Sequence, residues 1–180
     1  MIRKLLVLIA LAGLFGLWAF SDTLMPVEPM RSEAVKIRDG DTLTMMGKDV
    51  RLYGIDAPEY KQICRNSAGK SWPCGDMARA KLMTLIGNDE VNCEPQATDD
   101  YGRAVARCST AKVPDIALAM VEAGFAANGV DGGEGPYAVS ESLAQVEKLG
   151  IWSGPFVTPA DWRRANPRQN AEAPNPQGKS

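Results

Sequence analysis

Histidine is absent from all 180 residues. That excludes a Ser-His-Asp triad, a Cys-His dyad and every zinc site with a histidine ligand. Catalysis, if there is any, falls to carboxylates, arginines, hydroxyls, thiols or a hard metal ion. A general basic field is missing too. The chain has 20 Lys+Arg against 22 Asp+Glu, a net charge of −2, so polyanion binding needs a local arginine cluster. The four cysteines, Cys64, Cys74, Cys93 and Cys108, contain no closely spaced pair of the kind structural zinc sites use. What remains is ordinary for a globular chain: 45% hydrophobic and 23% charged residues, at a length that suits one domain.

One long apolar run exists, from Leu5 to Phe20, preceded by Arg3 and Lys4. A basic start before a short apolar core is the pattern of a secretory signal. The run is slightly short for a membrane span, which needs roughly 20 residues. Residues 1–20 are therefore expected to be either a signal peptide or an N-terminal membrane anchor through residues 5–20. Either places the rest of the chain outside the cytoplasm, periplasmic or secreted. The even number of cysteines, all beyond this run, agrees with an oxidising compartment. Residues 21–33, with Pro26 and Pro29, read as a linker. Residues 156–180 read as an extension ending in a disordered tail rich in Pro, Asn and Gln.

Between them lies one domain, residues 34–155. Val35–Ile37, Thr42–Met45 and Val50–Ile55 are short strand-like runs separated by turn signals at Asp39-Gly40-Asp41 and Gly47-Lys48. A helix is expected from Asp76 to Ile86, with Met77, Ala80, Leu82, Met83 and Ile86 inward and Gly87 as its stop. Val91–Glu94 and Ala104–Cys108 flank a turn at Asp99-Asp100-Tyr101-Gly102. Asp115 caps a second helix, and Ser140–Leu149 forms a third with Leu143 and Val146 inward. Strands and helices do not alternate as βαβ, so the class is α+β on a small five-stranded barrel. A turn centred between Asp100 and Tyr101 sets Cys93 opposite Cys108, which leaves Cys64 to pair with Cys74.

Three segments place polar groups where strands begin or end. Asp39-Gly40-Asp41-Thr42 opens one strand. Arg51 leads another, which runs to Asp56-Ala57-Pro58-Glu59. Arg103 follows the Asp99–Gly102 turn. Singly each is bland: Asp-Gly makes good turns, and a strand arginine is usually a solvated face. Together they supply two aspartates and a carbonyl for a hard cation such as Ca²⁺. They also supply two arginines for phosphate oxygens and a carboxylate able to deprotonate or orient water. That set suits in-line attack of water on a phosphodiester.

Over roughly residues 34–153 the chain resembles the staphylococcal nuclease (thermonuclease) family. The likeness rests on Asp39-Gly40-Asp41-Thr42, on Val50-Arg51-Leu52 running into Gly54-Ile55-Asp56-Ala57-Pro58-Glu59, and on Asp100-Tyr101-Gly102-Arg103. Leu118–Ala126 and Gly150-Ile151-Trp152 add to it. The resemblance implies an OB-fold-type five-stranded antiparallel β-barrel with three helices. It implies one Ca²⁺ on Asp41, Asp56 and the Ala57 carbonyl, with Arg51, Glu59 and Arg103 catalytic. It implies cleavage of DNA and RNA to 3′-phosphate ends, by a protein expected to be a monomer. The rival expectation is a non-catalytic OB-fold module that binds nucleic acid or another polyanion. Two features depart from the family's best-known member. Tyr60–Gly75 replaces a lysine-rich loop, and its base-stacking tyrosine pair is missing, with Tyr137 nearby as a candidate substitute.

Overall fold

The computed structural model describes residues 28–129 and 135–167. The expected leader at residues 1–20 and most of the expected tail lie outside these residues. Among the described residues, no helix is long and apolar enough to cross a membrane.

Among the described residues, ten strands and four α-helices follow in order. The strands are β1 (Met30–Ser32), β2 (Val35–Ile37), β3 (Thr42–Met45), β4 (Lys48–Leu52), β5 (Ile55–Asp56), β6 (Cys64–Arg65) and β7 (Ser71–Trp72). Helix α1 (Cys74–Ile86) precedes the hairpin of β8 (Val91–Thr98) and β9 (Ala104–Ser109). Helix α2 (Ile116–Glu122), β10 (Ala127–Asn128), α3 (Ala138–Val146), a 3₁₀ turn at Gly150–Ser153 and α4 (Pro159–Ala165) complete the described elements.

Six strands form the main sheet in the order β1-β8-β9-β4-β3-β2. Its two edges, β1 and β2, are separated in the chain only by Glu33 and Ala34. Two edges so tethered force the sheet to curl into a nearly closed barrel. The expected α+β, OB-type barrel therefore holds, with differences in detail. The pairing is antiparallel except between β4 and β9, which run parallel. Met30–Ser32, expected in the linker, supplies the sixth strand by pairing with Val91–Cys93. A fourth helix, α4, stands in the expected extension. The expected third strand breaks at Tyr53-Gly54, so Asp56 sits on a separate two-residue pair, β5 with β10.

The barrel interior is one apolar cluster. Leu43, Val50, Leu52, Val91 and Ala106 point in from the sheet; Leu82 of α1 and Met120 of α2 close it, all with no exposed surface. Helix α1 buries Cys74, Ala78, Leu82 and Ile86, an i, i+4 ladder along one face. Met77 and Met83, expected inward, are exposed. In α3 only Ala144 is buried; Leu143 and Val146, also expected inward, face out. Asp115 caps α2 as expected, its side chain accepting the N–H of Leu118 at 3.0 Å.

Both disulfides form as expected, Cys64–Cys74 and Cys93–Cys108. Cys93 faces Cys108 across the β8–β9 ladder, inside the core. Cys64–Cys74 anchors a smaller apolar cluster with Ile151, against which Trp72, Trp152 and Phe156 pack.

Candidate active site

The Asp39–Thr42 turn is built to aim one carboxylate. Asp39 Oδ1 accepts the N–H groups of Asp41 (3.1 Å) and Thr42 (2.7 Å), which folds the backbone tightly before β3. Asp41 is thereby turned inward, only 4% exposed. Burial of a carboxylate is costly unless its oxygens are engaged. Here Thr42 Oγ1 donates to Oδ1 at 2.8 Å, and the Ala57 N–H donates to Oδ2 at 3.1 Å.

Arg51 lies opposite Thr42 in the β3–β4 ladder, so its side chain reaches the same pocket. Its Nη1 pairs with Asp41 Oδ2 at 2.9 Å, and its Nη2 with Asp56 Oδ1 at 2.7 Å. One guanidinium thus sets two carboxylates side by side. The charge of Asp41, and then that of Asp56, raise the arginine's own pKa against its burial. Glu59 follows Pro58 in the loop after β5. Its backbone N–H donates to Gln62 Oε1 at 3.0 Å, which fixes the loop.

Arg103 reaches the same cleft from the other side. Its Nε donates to Asp99 Oδ2 at 2.7 Å, and Asp99 Oδ1 accepts the N–H groups of Arg103 (2.8 Å) and Tyr101 (3.0 Å). The hairpin turn therefore fixes the guanidinium, its Cζ 5.5 Å from the ring centre of Tyr101. A cleft of about 770 Å³ opens between the two sides and is lined by Asp41, Arg51, Glu59, Arg103 and Tyr101, among others.

Acid is in excess here. Burial, then the charge of Asp41, push the Asp39 carboxyl up to about 8. The same two causes raise Asp56, although Arg51 and Arg163 pull it down. Burial also raises Glu59. Crowded carboxylates that lift one another's pKa are short of positive charge. Hard-oxygen donors in that state suit a hard cation such as Ca²⁺, for which Asp41, Asp56 and the Ala57 carbonyl are the expected donors. Among the described residues no three acid or cysteine side chains make a ready-made metal cage; the expected set uses only two side chains and needs water to complete its shell.

The structure thus brings Asp41, Arg51, Asp56, Ala57 and Glu59 together, with Arg103 across the cleft. Two residues escaped the sequence reading. Arg163, on α4, bonds Glu59 Oε1 and stands 3.4 Å from Asp56 Oδ1. Gln62, 1% exposed, links the Glu59 backbone to Val157 O. A signal for the first was present: Thr158-Pro159-Ala160-Asp161 is a helix start, with a capping hydroxyl and proline at the first position. Tyr137 is no stacking surface. It is 5% exposed, and its hydroxyl donates to Asp115 Oδ2 at 2.9 Å.

The fold is a curled OB-type barrel with acids and arginines gathered in one cleft. The chain matches the family described as "Staphylococcal nuclease homologue" over residues 49–154 and belongs to it. It is 34% identical over 126 residues to "Succinoglycan biosynthesis protein ExoI" of Rhizobium meliloti, covering 69% of this chain and 65% of that protein. It is 33% identical over 120 residues to "Probable endonuclease LCL3" of Paracoccidioides brasiliensis, covering 58% and 34% respectively. It is 30% identical over 155 residues to "Micrococcal nuclease" of Shigella flexneri, covering 76% and 82%. The chain thus spans less than two thirds of the length of the first two. Asp41 and Arg163 both lie outside the family match.

Proposed function

We propose that this chain is a Ca²⁺-dependent endonuclease acting outside the cytoplasm. It hydrolyses phosphodiester bonds of DNA or RNA by in-line attack of water and leaves 3′-phosphate ends. The observation that carries this reading is the convergence of Asp41, Arg51, Glu59 and Arg103 on one cleft, with Asp56 paired to Arg51 beside it. Relatives named as endonucleases and a micrococcal nuclease support it.

Bound Ca²⁺ would supply positive charge to a phosphate oxygen. Asp41 and Asp56 would hold it, kept parallel by Arg51. Glu59 would orient the attacking water and take its proton. Arg51 and Arg103 would neutralise the charge that concentrates on the phosphoryl oxygens as the bond to water forms. Arg103, held by Asp99, would serve the departing 5′-oxygen. The export reading draws on the leader pattern and on two disulfides, which persist in oxidising compartments.

The test is digestion of plasmid and of RNA by the full chain with Ca²⁺, with Mg²⁺ and with chelator. Cleavage with Ca²⁺, poor cleavage with Mg²⁺ and none in chelator are expected, because the smaller octahedral Mg²⁺ shell draws its oxygens inward. Full activity in chelator would end the Ca²⁺ reading. No cleavage of either substrate in saturating Ca²⁺ would end the nuclease reading.

A further inference from the structure

The reading above uses two arginines, and two more line the cleft: Arg38, paired with Asp49, and Arg163. Arg163 stands on α4, beyond the region that matches the family. Its Nη1 bonds Glu59 Oε1 and lies 3.4 Å from Asp56 Oδ1. One nitrogen therefore bridges the carboxylate expected to act on water and one expected to hold the cation.

The segment that delivers it is fastened to the same loop. Gln62 Oε1 accepts the Glu59 N–H, while Gln62 Nε2 donates to Val157 O at 2.9 Å. A single buried amide thus grips the backbone on both sides of the Glu59–Arg163 contact. Thr158 caps α4 through the Asp161 N–H at 3.1 Å, and Pro159 is buried at its first turn. Upstream, Trp152 and Phe156 pack edge to face at 5.1 Å, against the Cys64–Cys74 cluster. Fixing this much chain costs conformational entropy at every residue, and its polar product in the cleft is the Arg163 guanidinium.

We propose that Arg163 is a positioning residue of this site, tying the Glu59 carboxylate to Asp56 and lending the acid cluster one fixed positive charge. The inference rests on the roles assigned above to Glu59 and Asp56. Two effects of opposite sign follow. Asp41 and Asp56 pair with Arg51, and Asp56 and Glu59 with Arg163; removing Arg163 takes away one of these two charges. Ca²⁺ should then bind more tightly, since a like charge and a competitor for Asp56 have gone. Turnover should fall, since Glu59 loses the tether that sets its distance from the cation ligand. A side chain that only packed α4 in place would not separate these effects.

The experiment is calorimetric titration of the full chain with CaCl₂, paired with kcat and KM on a single-stranded oligonucleotide at saturating Ca²⁺. For Arg163→Gln, the Ca²⁺ dissociation constant should fall by roughly fivefold or more, and kcat by about 10²-fold. Arg163→Lys restores charge without the planar fork. It should return Ca²⁺ affinity to near the parent value while kcat stays low. Arg164→Gln, on the outer side of the same helix, should match the parent in both. Unchanged kcat and affinity in Arg163→Gln, or loss of both together, would overturn the proposal; should that variant not fold, the Arg163→Lys split decides alone. A parent that neither binds Ca²⁺ nor cleaves would instead remove the functional reading, and this inference with it.

Discussion

Gly75, in the first turn of α1, offers a way to move Glu59 without touching its side chain. A Cβ at position 75 would lie 2.0 Å from the Glu59 carbonyl oxygen, 3.0 Å from its carbon and 3.1 Å from the Gln62 nitrogen. Helix propensity alone favours Gly75→Ala by about 1 kcal/mol. The contact opposes it, because a carbon–oxygen pair at that distance lies far inside the roughly 3.5 Å of ordinary non-bonded contact. Helix α1 cannot retreat easily: Cys74 is bridged to Cys64, and Ala78, Leu82 and Ile86 are buried in the core. The Glu59 loop must therefore give, against Gln62 and Arg163. Overpacking costs about 1–3 kcal/mol, so net destabilisation of roughly 1–2 kcal/mol is expected. A displacement on the order of 1 Å at a reacting group costs about 10² in rate. Gly87→Ala at the other end of α1 is the comparison. Gly87 has φ +58°, and a Cβ there would meet nothing within 4 Å; left-handed strain at that position costs about 1–2 kcal/mol. Thermal melting should show similar losses for both variants, while only Gly75→Ala loses kcat. If Gly75→Ala turned over at the parent rate, or Gly87→Ala lost as much, the buttress argument would be wrong.

Arg103→Lys should lower kcat by about 10²–10³ in steady-state digestion, with melting unchanged, because one preorganised donor fork is lost. Replacing Cys93 and Cys108 together by alanine should destabilise the protein by about 3 kcal/mol in denaturant titration, given the short loop they close. Non-reducing mass spectrometry of the parent should recover both bridges as linked peptides; four free thiols would contradict the Cys64–Cys74 and Cys93–Cys108 pairing.

Sequence alone reaches the cysteine pairing through a register that differs from the one observed. The turn signal centres the hairpin between Asp100 and Tyr101, yet Thr98 pairs with Ala104, so the hairpin centres on Tyr101. A bulge between Pro95 and Ala97 then shifts the ladder by one residue, which brings Cys93 back opposite Cys108. Two offsets cancel. The buried face of α1 differs from expectation because its inward stripe runs through the bridged Cys74 and the small Ala78 to Leu82 and Ile86, while the more hydrophobic Met77 and Met83 lie exposed. In α3 apolar side chains face outward, so hydrophobicity names the wrong face. The wall of acids around Arg51 is legible because its residues sit in tight motifs near strand ends. Arg163 is not, since it meets Glu59 across 104 positions of sequence and hides in a stretch whose prolines and amides suggest disorder.

The parallel seam between β4 and β9 bears on when this cleft comes into being. Arg51 is in register with Val105, far along the chain, whereas the β3–β4 and β8–β9 ladders are local hairpins. Hairpins form in about 1–10 μs, and contacts between distant segments come much later. The first hairpin carries Thr42 and Arg51, with Asp41 just ahead of it; the second carries Arg103 at its turn. A nascent chain can hold both ready-made and still lack a place where phosphate meets acid and base together. The β4–β9 pairing joins the two hairpins, so competence needs that long-range contact and not the hairpins alone.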